Sequence, residues 1–229
     1  MEQYRVADEV IRFSSKYVEN ELRFKAFLTT TEDAEVDLRI QGSYLEGFQK
    51  NHRNLSLAQC ELILSMRSFY DYLIKKEKLF LHATVVVNNG FAYVIIAPPS
   101  GGKSTLAKQM IEYQPELAFI VADDRIVIAN LEGAPVVWTT PWSKTINGNP
   151  TQYYVVKAFC IVKKNKSSSI IRGCEEEIVE EILCEYPKEC RMDVERILRS
   201  IHLEKCTLLR VHSNIRDLPI EKLFKMVVL

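Results

Sequence analysis

The sequence predicts an α/β chain of the α+β type, with a mixed, largely antiparallel sheet, flanking helices and a small N-terminal β-rich region. Two apolar, β-branched runs, 79–87 and 91–96, are joined by Asn-Gly, a strong hairpin signal. A nine-residue loop rich in small residues follows the second run and leads into a helical pattern. The last sixty residues are mainly helical in pattern.

The first fifty residues predict short strands. Residues 22–28 and 36–40 alternate between apolar and polar side chains, which is typical of strands with one wet face. Residues 41–54 are polar and are the best candidate for a boundary. We therefore expect an N-terminal region over 1–54 and a main domain over 55–229.

A helix and the hairpin open the main domain. Ser56 and Gln59 have the spacing of a capping box, and apolar residues then recur at helical spacing to about Lys76. The two arms of the hairpin follow. Because its turn is tight, the arm that leads into the loop is expected to pair antiparallel with the arm before it.

The loop over 97–105 has the form of a phosphate-binding loop. A strand, a small-residue loop and a helix that opens with Gly-Lys-Ser are the context that this motif requires. Backbone N–H groups of the loop and the helix N-terminus would attract a polyanion. Ala97 stands where the motif has its first glycine, and a chance Gly-Gly-Lys-Ser turn is the alternative. The residues expected to bind nucleotide are Pro99, Ser100, Gly101, Gly102, Lys103, Ser104 and Thr105.

Asp123 and Asp124 follow Lys103 by about one helix and one returning strand. This spacing predicts that the carboxylates lie at the end of a strand adjacent to the loop strand, where phosphate-loop proteins hold Mg²⁺. One carboxylate can serve the metal and the other can accept a proton. Successive strand residues point to opposite faces, so both serve one site only if the strand ends or bends there. Otherwise one of them merely caps a turn.

The remaining pattern alternates strands and helices. Strands are expected at 135–139, 153–162 and 206–211, and helices at 175–184, 191–202 and 220–226. The acidic run Glu175, Glu176 and Glu177 favours a helix N-terminus.

The chain resembles the catalytic domain of HPr kinase/phosphorylase over residues 79–130. The resemblance is carried by Leu-His-Ala at 81–83, the hairpin, Gly-Gly-Lys-Ser-Thr-Leu-Ala at 101–107 and Val-Ala-Asp-Asp at 121–124. It implies a fold related to phosphoenolpyruvate carboxykinase, with ATP and Mg²⁺ as cofactors. It also implies that Lys103 and Ser104 bind phosphate and Mg²⁺, that Asp123 is the general base and that Asp124 is linked to the metal. Which aspartate has which role stays open. His82 matches a histidine near the site, and a buried structural histidine is the alternative.

The departures from this family concern the acceptor. The glycine-rich segment expected after the aspartates is absent, and 139–144, with Lys144, stands there instead. Lys144 and Arg172 are lesser candidates for phosphate contact, and solvated or ion-paired surface roles are the alternatives. The N-terminal region differs, and the chain is short for that enzyme. It is more similar to HPr-kinase-like proteins of peptide natural-product clusters, some of which phosphorylate a serine of a precursor peptide.

Composition narrows the class of protein. Thirty basic and thirty acidic residues cancel, which argues against a nucleic-acid surface. Six scattered cysteines without a C-x-x-C pair predict reduced thiols, not a disulfide scaffold or a zinc site. No signal-like core or spanning apolar run is present, so we expect a cytoplasmic protein with no membrane partner.

The sequence therefore predicts a kinase that uses ATP and Mg²⁺, with Lys103, Asp123 and His82 as catalytic residues and Ser104 and Asp124 as metal ligands. The expected partners are a nucleotide and a hydroxyl acceptor, a serine of a peptide or protein. A small-molecule kinase and a nucleotide-sensing module without transfer activity are the alternatives. Whether the protein forms a homo-oligomer also stays open.

Overall fold

Two sheets and seven α-helices make up the part of the chain that the computed structural model describes, residues 2–30, 33–213 and 218–228. The strands are β1 (Glu2–Val6), β2 (Glu9–Phe13), β3 (Leu28–Thr29), β4 (Val36–Asp37), β5 (Leu79–Asn88), β6 (Phe91–Ile96), β7 (Ala118–Leu131), β8 (Ala134–Thr139), β9 (Thr145–Ile146), β10 (Tyr153–Lys164), β11 (Ser169–Arg172) and β12 (Thr207–Ser213). The helices are α1 (Val18–Phe24), α2 (Gly42–Asn51), α3 (Leu57–Lys75), α4 (Lys103–Tyr113), α5 (Glu175–Leu183), α6 (Arg191–Ser200) and α7 (Ile220–Val228).

The main sheet has the strand order β11-β12-β10-β6-β5-β7-β8, with β9 paired to β7. Strand β10 runs parallel to β6 and to β12, and the other pairings in this sheet are antiparallel. The start of β10 also pairs with β8, so the five strands β10, β6, β5, β7 and β8 form a closed ring of pairings. The predicted mixed, largely antiparallel sheet with the loop on a hairpin is thereby confirmed.

Helices cover the two faces of β5 differently. Its odd-numbered side chains, such as Leu81 and Val85, lie in a core with residues of α5 and α6. On the even-numbered face, Val86 packs in a core with α4 and α7, whereas Phe80 packs in a core with α3 and the N-terminal sheet. The even-numbered residues between them, His82 and Thr84, are polar. The gap between the two helix layers thus lies over His82 and Thr84.

The N-terminal region has a sheet of order β3-β1-β2-β4, but its strands differ from the predicted ones. Of residues 22–28, predicted as a strand, 22–27 form the end of α1 and a short 3₁₀ turn, and only Leu28 lies in a strand, β3. Asn20, Phe24 and Phe27 are buried while Leu22 is exposed, which is a helical spacing and not an alternation. The paired strands β1 and β2 were missed because Ala7 and Asp8, both at positive φ, make the turn without glycine.

Other parts of this region depart from the prediction as well. Of the predicted strand 36–40, only Val36–Asp37 pairs, and the polar stretch 41–54 contains helix α2. Phe13, Phe24 and Trp142 share one core with residues of α3, so the N-terminal sheet packs against the main sheet. The division at residue 54 stays a prediction.

Most main-domain elements lie within a few residues of the predicted ones, whereas strands β9 and β11 were not predicted. The capping box of Ser56 and Gln59 is present at the start of α3, with both reciprocal hydrogen bonds. All six cysteines are free thiols, as predicted. Within the described ranges, no helix is both long and apolar enough to cross a bilayer.

Candidate active site

The hairpin of β5 and β6 delivers the loop to the middle of the sheet. Asn89 and Gly90 adopt positive φ angles of 48° and 82°, the backbone that a two-residue hairpin turn needs. Strand β6 ends at Ile96, which pairs with Ala83. On the other side of β5, Ala83 pairs with Asp124. Ile96 at the root of the loop and Asp124 are therefore level on either side of β5. The backbones of β6 and β7 lie about 10 Å apart there, which is two strand spacings.

Two glycines are needed for the shape of the loop. Gly102 has a φ of 104° and is the N-cap of α4, and a side chain is strained at that angle. A Cβ on Gly101 would lie 2.7 Å from both the Ala97 Cβ and the Pro98 carbonyl oxygen. No side chain caps the N-terminus of α4, so its first N–H groups are directed at the space in front of the loop.

Ala97, the departure from the motif, is compatible with this loop. Among the described residues, the non-glycine positions with positive φ do not include it. Its methyl group is buried in the core beneath α4, next to the backbone of Gly101. Because this position does not need left-handed backbone, alanine can replace the first glycine of the motif without strain.

Lys103 lies at the floor of the site. Its side chain is largely buried, and its Nζ donates a hydrogen bond to the Ala97 carbonyl oxygen at 2.9 Å. Burial lowers the pKa of Lys103 below its ordinary value, and the carboxylates of Glu185, Asp123 and Asp124 oppose this shift. The amine is thus a buried cation that faces three acids, and phosphate oxygens would compensate its desolvation.

The two aspartates are both directed into the site because of the backbone between them. Asp123 Oδ1 accepts a hydrogen bond from the Thr84 hydroxyl at 2.5 Å, across the β5–β7 pairing. Asp124 would point to the opposite face of a regular strand, but its φ of 92° breaks the alternation. Its carboxylate therefore turns toward His82, on the same face as Thr84.

The predicted position of these acids on the sheet is wrong in two respects. Strand β7 is continuous from Ala118 to Leu131, so the acids lie within a strand and not at its end. The neighbours of β6 are β5 and β10, so β7 is not adjacent to the loop strand. The chain after α4 pairs with the free edge of β5, because β10 occupies the parallel position beside β6. The left-handed Asp124 brings the acids to the loop instead.

Three basic side chains surround Asp124. His82 Nε2 lies 3.3 Å from its Oδ1, Lys144 Nζ lies 3.3 Å from its Oδ2, and Arg125 Nε lies 3.8 Å from its Oδ1. His82 is half-buried, and its pKa is lowered first by burial and then by the charges of Lys103 and Arg125. A neutral imidazole thus contacts the carboxylate near neutral pH.

The segment 139–144 holds Lys144 in place. The Thr140 hydroxyl donates a hydrogen bond to the Arg125 carbonyl oxygen at 2.9 Å, and the Ser143 hydroxyl donates to the same oxygen. The Lys144 N–H donates to the Asp123 carbonyl oxygen at 2.8 Å. These bonds lie on both sides of Asp124, so they direct Lys144 to the site although its side chain is mostly exposed.

Glu185 was not predicted from the sequence. It follows α5, and its Oε2 accepts a hydrogen bond from the His82 backbone N–H at 3.1 Å, while its Oε1 lies 3.9 Å from His82 Nδ1. Burial raises the pKa of Glu185 above its ordinary value. The contact joins residues 103 positions apart, and no local motif surrounds Glu185. Thr84 had a weak signal, as a polar residue within an apolar strand.

A cavity of about 360 Å³ lies between the loop and the two aspartates. It brings together all of the predicted catalytic, nucleotide-binding and metal residues and also Lys144. Its lining residues are His82, Pro99, Ser100, Gly101, Gly102, Lys103, Ser104, Thr105, Asp123, Asp124 and Lys144. Arg172 is exposed on β11 and does not line it.

The donors in this cavity fit magnesium bound together with phosphates. In the described part of the chain, no cluster of three or more His, Cys, Asp or Glu residues would hold a metal alone. Mg²⁺, however, is usually bound by one or two carboxylates together with substrate phosphates and water. The exposed Ser104 hydroxyl and the Asp124 carboxylate supply such a partial set.

Comparison with known proteins gives little guidance. No protein family matches the chain, and no curated protein matches it. Among solved structures, the HPr(Ser) kinase/phosphatase from Coxiella burnetii aligns with 65% of this chain and 87% of its own, at 10% identity and a TM-score of 0.36. This similarity is distant and concerns the fold only, so function has to be argued from the cavity.

Proposed function

We propose that this protein is a kinase that uses ATP and Mg²⁺ and transfers the γ-phosphoryl group to a hydroxyl, a serine of a peptide or protein. The observation that carries the proposal is that the phosphate loop, with Lys103, and the paired aspartates line one cavity. A phosphate-binding loop by itself explains nucleotide binding but not transfer to an acceptor. A carboxylate fixed opposite the loop is what a hydroxyl acceptor needs in addition.

The position of each residue in the cavity suggests its role in phosphoryl transfer. Lys103, the loop amides and the N-terminus of α4 would neutralise the phosphates, and such fixed charges supply much of the acceleration in phosphoryl transfer. Bound at Ser104 and Asp124, Mg²⁺ would supply further charge neutralisation between the phosphates. The exposed Lys144 side chain lies close enough to Asp124 to move onto a phosphate oxygen.

Asp123 is our choice for the base. Because the Thr84 hydroxyl holds its Oδ1, its second oxygen remains to accept the proton of the acceptor hydroxyl. The hydroxyl oxygen would then form a bond to the γ-phosphorus as the bond between this phosphorus and the bridging oxygen breaks. ADP and a phosphate ester would be the products. Asp124, which lines the same cavity as Ser104 and is not held by Thr84, would remain for the metal, and its basic neighbours would face the phosphates.

The test uses the full chain. Titration calorimetry with ATP and Mg²⁺ measures binding, and release of labelled phosphate from [γ-³²P]ATP measures reaction with water, for which no acceptor has to be known. We expect binding together with slow hydrolysis, because a kinase site transfers some phosphate to water. Tight binding with no hydrolysis and no transfer to any hydroxyl would instead indicate a nucleotide-sensing module.

A further inference from the structure

A second cavity, of about 260 Å³, lies next to the phosphate cavity. Its floor is mainly apolar and aromatic, and charged side chains line its edge. The lining residues are Met66, Arg67, Tyr70, Phe80, Arg125, Glu185, Tyr186 and Pro187. None of them was identified from the sequence as part of a site.

The wall between the two cavities is thin. Arg125 lines the second cavity, and its Nε lies 3.8 Å from Asp124 Oδ1, which lines the first. Glu185 also lines the second cavity, and its carboxylate contacts His82 of the first. An occupant of the second cavity would therefore lie one side chain away from the acids.

The second cavity lies further along β5 than Ala83, the residue with which both Ile96 at the loop root and Asp124 pair. On the even-numbered face of β5, Thr84 contacts Asp123, His82 contacts Asp124 and Phe80 lines the second cavity. In phosphoryl transfer the attacking and leaving oxygens are roughly in line with the phosphorus. The loop would hold the leaving diphosphate and the acids would hold the acceptor hydroxyl, so a neighbouring side chain of the acceptor can reach the second cavity, which adjoins Asp124 and His82 through Arg125 and Glu185.

The walls of this cavity are fixed before anything binds. The Tyr186 hydroxyl donates a hydrogen bond to the Phe80 carbonyl oxygen, and the rings of Tyr70 and Tyr186 lie 5.6 Å apart. Phe80 also packs edge-on against Phe69 and against Trp142. A preformed apolar cavity loses little conformational entropy when an apolar group enters it.

We infer that this cavity binds an apolar side chain of the acceptor peptide, two residues from the serine that is phosphorylated. The volume is below the range of about 300–1,000 Å³ that is typical of whole small-molecule sites, and it suits one large side chain of a longer chain. Phe80 and His82 are two strand residues apart, about 6.6 Å, and an extended peptide repeats its side chains on one face at the same spacing. The inference rests on the proposed kinase activity.

The test is a scan of acetylated, amidated pentapeptides with a central serine among alanines. Phenylalanine replaces each alanine in turn, and transfer from [γ-³²P]ATP with Mg²⁺ gives kcat/KM. Phenylalanine two residues from the serine, on one side, should raise kcat/KM about tenfold or more, as expected for burial of an aromatic side chain. Met66→Trp, which fills the cavity, should remove this gain, measured within the variant as the ratio of kcat/KM for the phenylalanine peptide to kcat/KM for the all-alanine peptide. Met192→Trp, at a methionine that is 84% exposed and outside both cavities, should keep the gain.

Several results would overturn the inference and leave the kinase proposal intact. These are equal use of all peptides, a gain only beside the serine, or a gain that survives Met66→Trp. ATP hydrolysis with no peptide phosphorylated, or preferred transfer to glycerol or free serine, would overturn both the inference and the peptide acceptor of the kinase proposal, but not ATP binding by the loop. The dependence on peptide position in the unmodified protein does not require any variant to fold. Failure to bind ATP would overturn the kinase proposal itself.

Discussion

The two halves of the cavity are built in different ways. The loop half comes from one continuous segment, 97–105, whose shape depends on Gly101 and Gly102. The carboxylate half is assembled from three separate parts of the chain, β5, β7 and the segment 139–144, and Glu185 after α5 contacts His82 from outside the cavity lining. The loop half can bind phosphate by its local backbone alone, whereas the acids face it only because the whole sheet has formed. We therefore expect variants of the two halves to separate nucleotide binding from transfer.

The largest effect on ATP affinity is expected in the loop half. Lys103→Ala removes charge-assisted contacts to the phosphates, at about 1.5–3 kcal/mol for each hydrogen bond, so the affinity for ATP should fall about 100-fold or more. Titration calorimetry with ATP and Mg²⁺ measures this. Lys108→Ala is the matched control, because Lys108 lies exposed on the same helix and pairs with Glu112. Unchanged affinity in Lys103→Ala would refute the phosphate role of the loop.

A smaller effect is expected at His82. His82→Asn shortens the side chain that contacts Asp124 and adjoins Glu185, so turnover should fall about tenfold, or ~1.4 kcal/mol in the barrier, with little change in ATP affinity. The measurement is labelled phosphate release at saturating ATP. His202→Asn, at an exposed histidine beside Glu204, is the control. If His82→Asn lost affinity and not turnover, His82 would belong with the loop half.

His82 should also make the free energy of unfolding depend on pH. Its pKa is lower in the folded chain than in the unfolded one, so the unfolded state binds more protons at mildly acidic pH. The contribution of neutral His82 to the free energy of unfolding is complete above about pH 6.5, and it is lost as the pH falls below that value. Urea unfolding at several pH values should therefore show that the stability of the unmodified protein relative to His82→Asn declines on acidification. A constant difference would mean that His82 does not titrate in this way.

The smallest effect on the nucleotide is expected at Ala97. Ala97→Gly restores the usual loop residue, but the position has no positive φ, so ATP affinity should stay unchanged. The loss of a buried methyl group should lower the free energy of unfolding by about 1 kcal/mol. Calorimetry and urea unfolding measure the two quantities. A large gain in affinity would show that alanine limits the loop after all.

The same contrast explains what could be predicted from the sequence. The loop, α4, the hairpin and the capping box depend on neighbours in the chain, and the structure has them where they are predicted. Glu185 depends on a contact between α5 and β5 that leaves no local pattern, and it was missed. The position of the acids within β7 was wrong, because strand order is decided by which edges the rest of the sheet leaves free.

The strand prediction for the N-terminal region was wrong for a different reason. Its short segments carry weak periodicity, and 22–28 fits alternation on paper while Phe24 and Phe27 are buried at helical spacing. The packing of the Phe24 ring against Phe13 and Trp142, and not local propensity, decides the conformation.

The central claim is that the loop and the aspartates form one phosphoryl-transfer site, and Asp123→Asn tests it most directly. Asparagine keeps the shape and the Thr84 contact but cannot accept the proton. ATP affinity should therefore stay at the level of the unmodified protein, and labelled transfer to a serine peptide should fall by about 10²–10⁴-fold. Asp71→Asn, at an exposed residue of α3, should change neither. Undiminished transfer by Asp123→Asn, with binding intact, would contradict the account.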